Sequence, residues 1–319
     1  MEVLNKLKES QTKLYSELSK VIVGQNEIIE HMFIALLCRG HVLLEGVPGL
    51  AKTLLIQCLS NGLDLKFNRI QFTPDLMPSD ITGTEIIQQN KDTGERAFSF
   101  HKGPVFSNII LADEINRTPP KTQSALLQAM QEKKITAAGK TYDLERPFFV
   151  LATQNPIEQE GTYPLPEAQL DRFMFNLLIN YPSRDEELKV VKDHNMQNPE
   201  SINAVINIDD LKEYQDLIEQ VPVADNIIEY VVDLVKKTRP QENQSKANQW
   251  LEWGAGPRAS THLILAAKAK AVLDGKATPD IDDVNAMVKP VLRHRIVPSF
   301  SAEAEGITKD DIIDQLLSK

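Results

Sequence analysis

HVLLEGVPGLAKTLLIQCL, residues 41 to 59, contains the most informative pattern of this sequence. A short apolar strand, Val42 to Glu45, leads into a loop with glycine and proline, and the apolar run after Lys52 and Thr53 predicts a buried helix. A strand, a glycine loop and a Lys-Thr pair at a helix start form a phosphate-binding loop (P-loop), whose backbone N–H groups bind phosphate oxygens. The candidate nucleotide-binding residues of this loop are Gly46, Val47, Pro48, Gly49, Leu50, Ala51, Lys52, Thr53 and Leu54.

Two residues of the loop carry its chemistry, and one departs from the usual pattern. We expect Lys52 to contact the β- and γ-phosphates and Thr53 to ligate Mg²⁺. Ala51 stands where the pattern G-x-x-x-x-G-K-[ST] has its second glycine. Alanine is acceptable there if the residue is already helical, since only a positive φ requires glycine. The alternative, a strand–turn–helix with an ordinary surface Lys-Thr pair, has to be judged from the rest of the chain.

A second apolar strand, residues 108 to 112, runs directly into Asp113 and Glu114, which is the Walker B pattern. Ligands bind outside the carboxyl ends of the strands in open α/β sheets, so we expect this acidic pair to face the P-loop. Asp113 is then a candidate magnesium and nucleotide ligand, and Glu114 a candidate base that polarises the attacking water. A solvated turn with two acidic residues is the alternative.

Three more polar side chains follow in chain order. Asn155 ends the next apolar strand, where it can orient the attacking water or simply start an Asn-Pro turn. Arg172, in Asp171-Arg172-Phe173, and Arg258, in Gly254 to Arg258, supply planar cations suited to charge that develops on a transferring phosphoryl group. Either arginine alone is more often a surface ion pair.

The apolar strands are separated by helical patterns, which favours a parallel sheet covered on both faces. Two hairpins are expected, over residues 81–106 with a turn at 90–94, and over residues 135–147 around Ala138 to Lys140. Helices are expected to begin with Thr118-Pro119 and Thr278-Pro279 as N-cap and N1, and a capping box is expected at Thr308 and Asp311. The five predicted strands cover residues 42–45, 67–72, 108–112, 148–152 and 173–179.

After Tyr181 the pattern becomes helical, and no strand is expected after Ile179. We therefore predict an α/β core over residues 1–181 and a smaller all-helical domain over residues 182–319, with a polar loop at 240–248. An earlier apolar turn, Val21 to Gln25, either contacts an adenine ring or merely packs, and the sequence leaves both open. The helices of the second domain are expected near 184–194, 208–220, 224–238, 258–273, 279–292 and in the tail from 307.

The composition and the net charge argue against several classes of protein. Of 319 residues, 35 are basic and 45 acidic, and the net charge of −10 argues against a nucleic-acid tracking surface. No apolar run approaches the ~20 residues of a membrane span, and the N-terminus lacks the apolar segment of a secretory signal, so we expect a cytoplasmic protein without membrane insertion. Cys38 and Cys58 lie in apolar helical stretches, which predicts buried, reduced thiols.

The order of these motifs closely resembles the AAA+ ATPases, and their details resemble the MoxR family. The resemblance covers nearly the whole chain and implies that Ala51 is acceptable. It implies that residues 81–106 are the helix-2 insert and residues 135–147 the pre-sensor-1 hairpin. It also implies that Asn155 is sensor 1, Arg258 sensor 2 and Arg172 the arginine finger that reaches a neighbouring subunit's nucleotide, with Arg117 a further candidate at the interface. The motifs that carry the resemblance are GVPGLAKT at 46–53, LADEINR at 111–117, ATQNP at 152–156 and LPEAQLDRF at 165–173.

The resemblance also implies cofactors and partners. MoxR proteins are expected to bind ATP and Mg²⁺, to form hexameric rings, and to assemble or activate protein partners that often contain von Willebrand factor A domains and metal sites. A metal-chelatase motor subunit is a close alternative, since it shares both inserts. A DNA-dependent AAA+ motor is a further alternative, disfavoured by the net charge and by the lack of residues for an added DNA-binding domain. A nucleotide-gated scaffold without turnover is disfavoured because Glu114 is intact.

Overall fold

The computed structural model of the protein describes residues 2–89, 96–137, 139–157, 160–192, 198–240 and 249–318. Its centre, within those ranges, is a five-stranded parallel sheet of β1 (Val42–Glu45), β2 (Phe67–Gln71), β5 (Ile109–Asp113), β8 (Phe149–Gln154) and β9 (Phe175–Leu178). The strands lie side by side in the order β2-β5-β8-β1-β9. The predicted parallel sheet is confirmed, with boundaries that differ by one or two residues at most strands.

Alternate residues of the strands face opposite sides of the sheet, and helices cover both sides. Val42 and Leu44 pack into an apolar cluster with the first three helices, whereas Leu43 packs into a second cluster with α5. Both faces of β1 are therefore covered, and the strands β1, β5 and β8 are apolar over most of their length, whereas the edge strand β2 also carries Asn68, Arg69 and Gln71. The helices of this half are α1 (Glu2–Leu18), α2 (Asn26–Leu37), α3 (Lys52–Gly62), α4 (Pro78–Thr82), α5 (Pro120–Glu132) and α6 (Glu167–Leu170).

Both expected hairpins are present. β3 (Gly83–Gln89) pairs antiparallel with β4 (Arg96–Lys102), and β6 (Lys134–Ala137) pairs antiparallel with β7 (Lys140–Asp143). The two hairpins contact each other, because the Phe100 ring stacks on the Tyr142 ring at a centroid distance of 4.4 Å. The predicted turn at 90–94 and Ala138 lie outside the described residues.

The second half is helical, as predicted, but it also contains a small sheet. The prediction that no strand follows Ile179 is wrong: β10 (Leu251–Trp253) pairs antiparallel with β11 (Val297–Pro298). The two strands have three and two residues and lie far apart in the chain, so no local alternation marks them. The helices are α7 (Arg184–Lys192), α8 (Ile208–Gln220), α9 (Asp225–Lys237), α10 (Pro257–Leu273), α11 (Ile281–Leu292), α12 (Phe300–Ala304) and α13 (Lys309–Leu317). Residues 193–194 of the first predicted helix, and 241–248 of the predicted polar loop, lie outside the described residues.

Two predicted helix starts are wrong, one by one residue and the other by two. α5 begins at Pro120 with Pro119 at the N-cap, and α11 begins at Ile281 with Asp280 at the N-cap. At α11 the acidic side chain is the better cap, because Asp280 and Asp283 each accept a backbone N–H from the other. The capping box predicted at the start of α13 is confirmed.

The helices before the P-loop bond to the helices of the second half. The hydroxyls of Ser10 and Tyr214 are 3.0 Å apart, and the Gln215 Nε2 donates to the Leu36 carbonyl at 2.8 Å. The division at residues 181 and 182 stays a prediction, and α1 and α2 contribute to the apolar core that the C-terminal helices share. Cys58 is buried as predicted, whereas Cys38 is partly exposed; both are free thiols. Among the described residues, none of the helices is long and apolar enough to cross a membrane.

Candidate active site

A cavity of about 340 Å³ lies at the carboxyl ends of β1, β5 and β8, where the sequence places its polar motifs. The P-loop forms one side, and the ends of β5 and β8 form the other. We call it the phosphate cavity because of its chemistry, a lysine and a helix N-terminus opposite two carboxylates. Its lining residues are Pro48, Gly49, Leu50, Ala51, Lys52, Thr53, Arg69, Asp113, Glu114 and Asn155.

The first glycine of the P-loop allows the loop to lie close to the sheet. A Cβ atom at Gly46 would lie 2.0 Å from Cγ2 of Ile179, just beyond β9, so no larger residue fits there. The carbonyl of Gly46 accepts a hydrogen bond from Lys52 Nζ at 2.6 Å. Burial lowers the pKa of Lys52, and the negative charges of Asp113 and Glu114 oppose that shift. The ammonium group therefore lies between the loop and the acidic pair.

The condition under which alanine would be unstrained at residue 51, a helical backbone, is not met. Ala51 has φ 54° and ψ 28°, the left-handed conformation, and it is the N-cap of α3. The chain has to turn sharply between the loop and the helix, and it does so at this residue. A Cβ atom in this conformation costs roughly 1–2 kcal/mol, which is the physical reason for glycine at this place in the general pattern.

Asp113 and Glu114 are both held by residues of neighbouring strands. Thr153 of β8 donates from Oγ1 to Asp113 Oδ1 at 2.6 Å and accepts from the Glu114 backbone N–H at 2.9 Å. Arg69 of β2 donates to Asp113 Oδ2 from Nε at 3.1 Å and from Nη2 at 2.6 Å. The carboxylate of Asp113 therefore has a fixed direction toward the cavity, as a magnesium ligand requires.

Glu114 has φ 56°, which turns its side chain away from the strand direction. Its Oε2 accepts from Gln71 Nε2 at 2.9 Å and from Arg117 Nη1 at 3.0 Å. Its Oε1 accepts no hydrogen bond from any described residue, so one carboxylate oxygen is available to a water molecule. The solvated-turn alternative for the acidic pair does not fit, because the side chain of Asp113 is only 15% exposed and that of Glu114 only 24% exposed.

Asn155 lies at the phosphate cavity and also forms the predicted Asn-Pro turn. Its side chain is buried and lines the phosphate cavity. Its Oδ1 accepts from the backbone N–H of Ile157 at 3.1 Å, so it also forms the predicted Asn-Pro turn. The turn fixes the orientation of the amide and leaves Nδ2, which bonds to no described residue, as a donor.

A second, mostly apolar cavity of about 170 Å³ adjoins the phosphate cavity and shares Gly49, Leu50 and Ala51 with it. The turn of Val21 to Val23, which the sequence left open between base contact and packing, lies in its wall. A polar cavity beside an apolar one suits a nucleotide, with phosphates in the first and a planar base in the second. Its lining residues are Val21, Ile22, Val23, Gln25, Gly49, Leu50, Ala51, Leu54, Leu55, Pro182 and Val190.

Arg172 and Arg258 line neither cavity, and of the predicted loop residues Gly46 and Val47 also line neither. Arg258 instead pairs with Asp171, the residue before Arg172. Arg258 Nη1 is 2.9 Å from Asp171 Oδ2. The Arg172 side chain makes no hydrogen bond or ion pair to any described residue. The predicted site residues therefore form two groups, one around the P-loop and one at Asp171.

Sequence reasoning missed Arg69, Gln71 and Thr153. The register of β2 on β5 places Gln71 opposite Asp113, and Arg69 two residues earlier on the same face of the strand. Two polar residues near the end of a predicted strand were the available signal, but their importance depends on which strand lies beside β5. Arg117, expected at a subunit interface, pairs with Glu114 within the chain.

The chain is similar over most of its length to proteins of one family. The sequence profile described as "ATPase family associated with various cellular activities (AAA)" matches residues 41–175, and the profile described as "AAA lid domain" matches residues 243–316. "Chaperone MoxR1" of Mycobacterium tuberculosis is 43% identical over 303 residues, which cover 94% of this chain and 79% of that protein. "Protein MoxR" of Paracoccus denitrificans is 28% identical over 307 residues, covering 91% of this chain and 90% of that protein.

A solved structure agrees with these sequence matches. The crystal structure of a protein from Cytophaga hutchinsonii, provisionally assigned as an ATPase, superposes with a TM-score of 0.91 at 44% identity. The superposition covers 100% of this chain and 96% of that one. The matched regions include the P-loop, the acidic pair after β5, Asn155 and both arginines. Since a close relative matches over most of both chains, and the AAA and lid profiles match the two halves, this chain belongs to the MoxR family of AAA+ ATPases.

Proposed function

We propose that this protein hydrolyses MgATP at sites shared between the subunits of a homo-oligomeric ring, a hexamer by resemblance, and acts as a chaperone-like remodeller or activator of protein partners. The observation that carries the shared site is the position of Arg172 and Arg258, outside both cavities that would hold the chain's own nucleotide. Arginines that line neither of the chain's own nucleotide cavities are suited to the site of a neighbouring copy. An arginine supplied in this way stabilises the charge of the transition state.

The residues around the P-loop divide the chemistry among them. The adenine would lie in the apolar cavity and the phosphates in the polar one, with Lys52 on the β- and γ-phosphates. Glu114 would take up a proton from the attacking water through Oε1, and Asn155 would orient that water through Nδ2. Both side chains are already held in place, by Gln71 and Arg117 in one case and by the turn at Ile157 in the other.

The donor set of the site fits Mg²⁺. Thr53 and Asp113 line the same cavity and offer a hydroxyl and a carboxylate, which are the hard oxygen ligands that this ion prefers. These two residues would hold it, and the ion would neutralise charge on the phosphate oxygens. Thr153 keeps Asp113 in the orientation that such a ligand needs.

Mixing two inactive variants tests the shared site. Lys52→Ala loses a phosphate contact, and Arg172→Ala should bind ATP but turn over ~10³-fold more slowly. In an equimolar mixture, about one interface in four should pair an intact P-loop with an intact arginine, so a comparable fraction of the activity should return. Wild-type activity per subunit should also rise with protein concentration as rings assemble. Activity that stays flat on dilution through ring dissociation, with no recovery on mixing, would show that Arg172 is an ordinary surface residue.

The hairpins are the proposed contact surface for a partner protein. Ile87 and Phe98 are directly paired across β3 and β4 and are 62% and 72% exposed. On the same face, Phe100 is held by the Tyr142 ring of the other hairpin. Two exposed apolar residues on a braced hairpin have no role in folding the sheet, which favours a role in binding.

Co-purification from the native source tests this part of the proposal. The Glu114→Gln variant should retain partners in the ATP state, and Phe98→Ser in that background should lose them while the basal ATPase of Phe98→Ser alone stays unchanged. A partner with a von Willebrand factor A domain would fit a MoxR-type activator, and chelatase subunits would favour the metal-chelatase alternative. Strong stimulation of the ATPase by DNA would instead favour the DNA-dependent motor.

A further inference from the structure

Arg295, between α11 and β11, is a buried cation with an unusually complete set of acceptors. Its side chain is 1% exposed. A buried charge is tolerated only when it is paired and its remaining donors are hydrogen-bonded. All three guanidinium nitrogens are used here. The acceptors are Asp171 Oδ1 at 2.8 Å, the carbonyls of Asp171, Phe173, Met174 and Val291, and Nδ1 of His262 at 2.7 Å.

Most of these acceptors lie on the two sides of Arg172. The Asp171 carbonyl, 3.1 Å from Nη2, precedes Arg172 in the chain, and the Phe173 carbonyl, 2.6 Å from Nη2, follows it. The neighbouring His294 donates from Nε2 to the same Phe173 carbonyl at 3.0 Å. The second half of the chain therefore holds the backbone of the segment that carries the candidate arginine finger.

The same carboxylate also holds Arg258. Asp171 Oδ1 accepts from Arg295 and Oδ2 from Arg258, so one side chain connects a buried and a half-exposed arginine. One turn after Arg258 on α10, His262 accepts from Arg295, which requires a neutral imidazole because arginine can only donate. Burial, together with the charges of Arg295 and Arg258, lowers the pKa of His262 to about 3, so it stays neutral at ordinary pH.

We infer that Arg295 is a positioning residue for Arg172 and Arg258, which it orients as a pair through the backbone on both sides of Arg172 and through Asp171. This role rests on the proposed shared site, and it identifies the residue that positions Arg172 and Arg258 there. Without Arg295, Arg172 would keep its charge but lose its fixed position. A misplacement of about 1 Å can cost ~10²-fold in rate without changing ground-state binding.

A variant of Arg295 and a matched control two residues away separate positioning from folding. Arg295→Met removes the hydrogen-bond donors and keeps a similar side-chain volume. Arg293→Met is the control, because Arg293 also joins the two halves of the chain but away from Arg172. It pairs with Asp310 and donates to the Asn176 carbonyl at 2.8 Å. We expect Arg295→Met to bind ATP with an unchanged dissociation constant, and its kcat to fall at least ~10-fold. Mixing it with Lys52→Ala should restore activity, because the Lys52→Ala subunit supplies intact arginines. Arg293→Met should lower the melting temperature without a loss of kcat that mixing can rescue.

Three outcomes would overturn the inference. A folded Arg295→Met with normal kcat would show that Arg172 needs no such support. A low kcat that mixing does not restore, while Arg172→Ala is restored, would show a structural role only. If neither variant is restored, the shared site itself fails and the inference fails with it. Should Arg295→Met not fold, Asp171→Asn keeps the side-chain shape, weakens both ion pairs, and must show the same rescue on mixing.

Discussion

The buried His41, at the start of β1, makes a prediction about stability in acid. It accepts from the Val150 backbone N–H through Nδ1 at 3.1 Å, and its Nε2 donates to the Met130 carbonyl at 3.3 Å. Acceptance at Nδ1 requires the neutral ring, whereas the Nε2 donor is present in both the neutral and the charged ring. Burial lowers the pKa of His41 to about 4, although the hydrogen bond to Met130 opposes the shift. The unfolded chain, with a histidine pKa of ~6.5, then binds more protons than the folded chain as the pH falls.

The sign and size of the effect follow from these two values. The stabilisation is complete above pH ~6.5 and is lost progressively as the pH falls toward 4. At pH 5 the loss amounts to about 2 kcal/mol, a large part of the ~5–15 kcal/mol that stabilises a typical protein. Denaturant unfolding at pH 7 and pH 5 measures it, and His41→Gln isolates it, since glutamine can donate and accept at the same places but does not titrate.

Between pH 7 and pH 5, we expect wild type to lose about 2 kcal/mol of unfolding free energy relative to His41→Gln. The exposed His101, changed to glutamine, is the matched control for replacing a histidine by glutamine outside the core. If the unfolding free energies of wild type and His41→Gln change with pH in parallel, the prediction is wrong, because the folded chain then tolerates the charged ring at this site.

Three further predictions concern the P-loop and the acidic pair. Lys52→Ala should weaken ATP binding in a direct titration, because it removes a ground-state phosphate contact. Glu114→Gln keeps the contacts to neighbouring side chains and should bind ATP nearly normally while kcat falls ~10²-fold or more; lost binding with normal turnover per bound ATP would contradict the assigned roles. Ala51→Gly should be neutral to stabilising by up to ~1 kcal/mol in thermal melts, because relief of the left-handed strain offsets the added chain entropy. Ala51→Val should lose more than ~1 kcal/mol, and a valine variant as stable as wild type would argue against a left-handed residue 51.

Much of the core could be predicted because its signals are local. The central strands β1, β5 and β8 are apolar over most of their length, and the P-loop and the acidic pair are contiguous motifs that can be recognised from their own spacing. The capping box at Thr308 and Asp311 is local in the same sense. At α5 and α11 the observed N-cap, Pro119 or Asp280, lies one or two residues after the predicted one, so both predicted helix starts were displaced.

The amino-acid sequence was enough to predict the fold class, the residues that meet at the sheet edge, and the family to which the chain is similar. Which side chains hold those residues depends on tertiary contacts: Arg69 and Gln71 on the acidic pair, and Arg295 on the segment around Arg172. These contacts join residues tens to more than a hundred positions apart, and hydrophobic periodicity carries no information about which strand or helix end lies beside which. The same reason applies to β10 and β11, and to Ala51, whose left-handed backbone is imposed by the turn between a strand and a helix that are both fixed by packing.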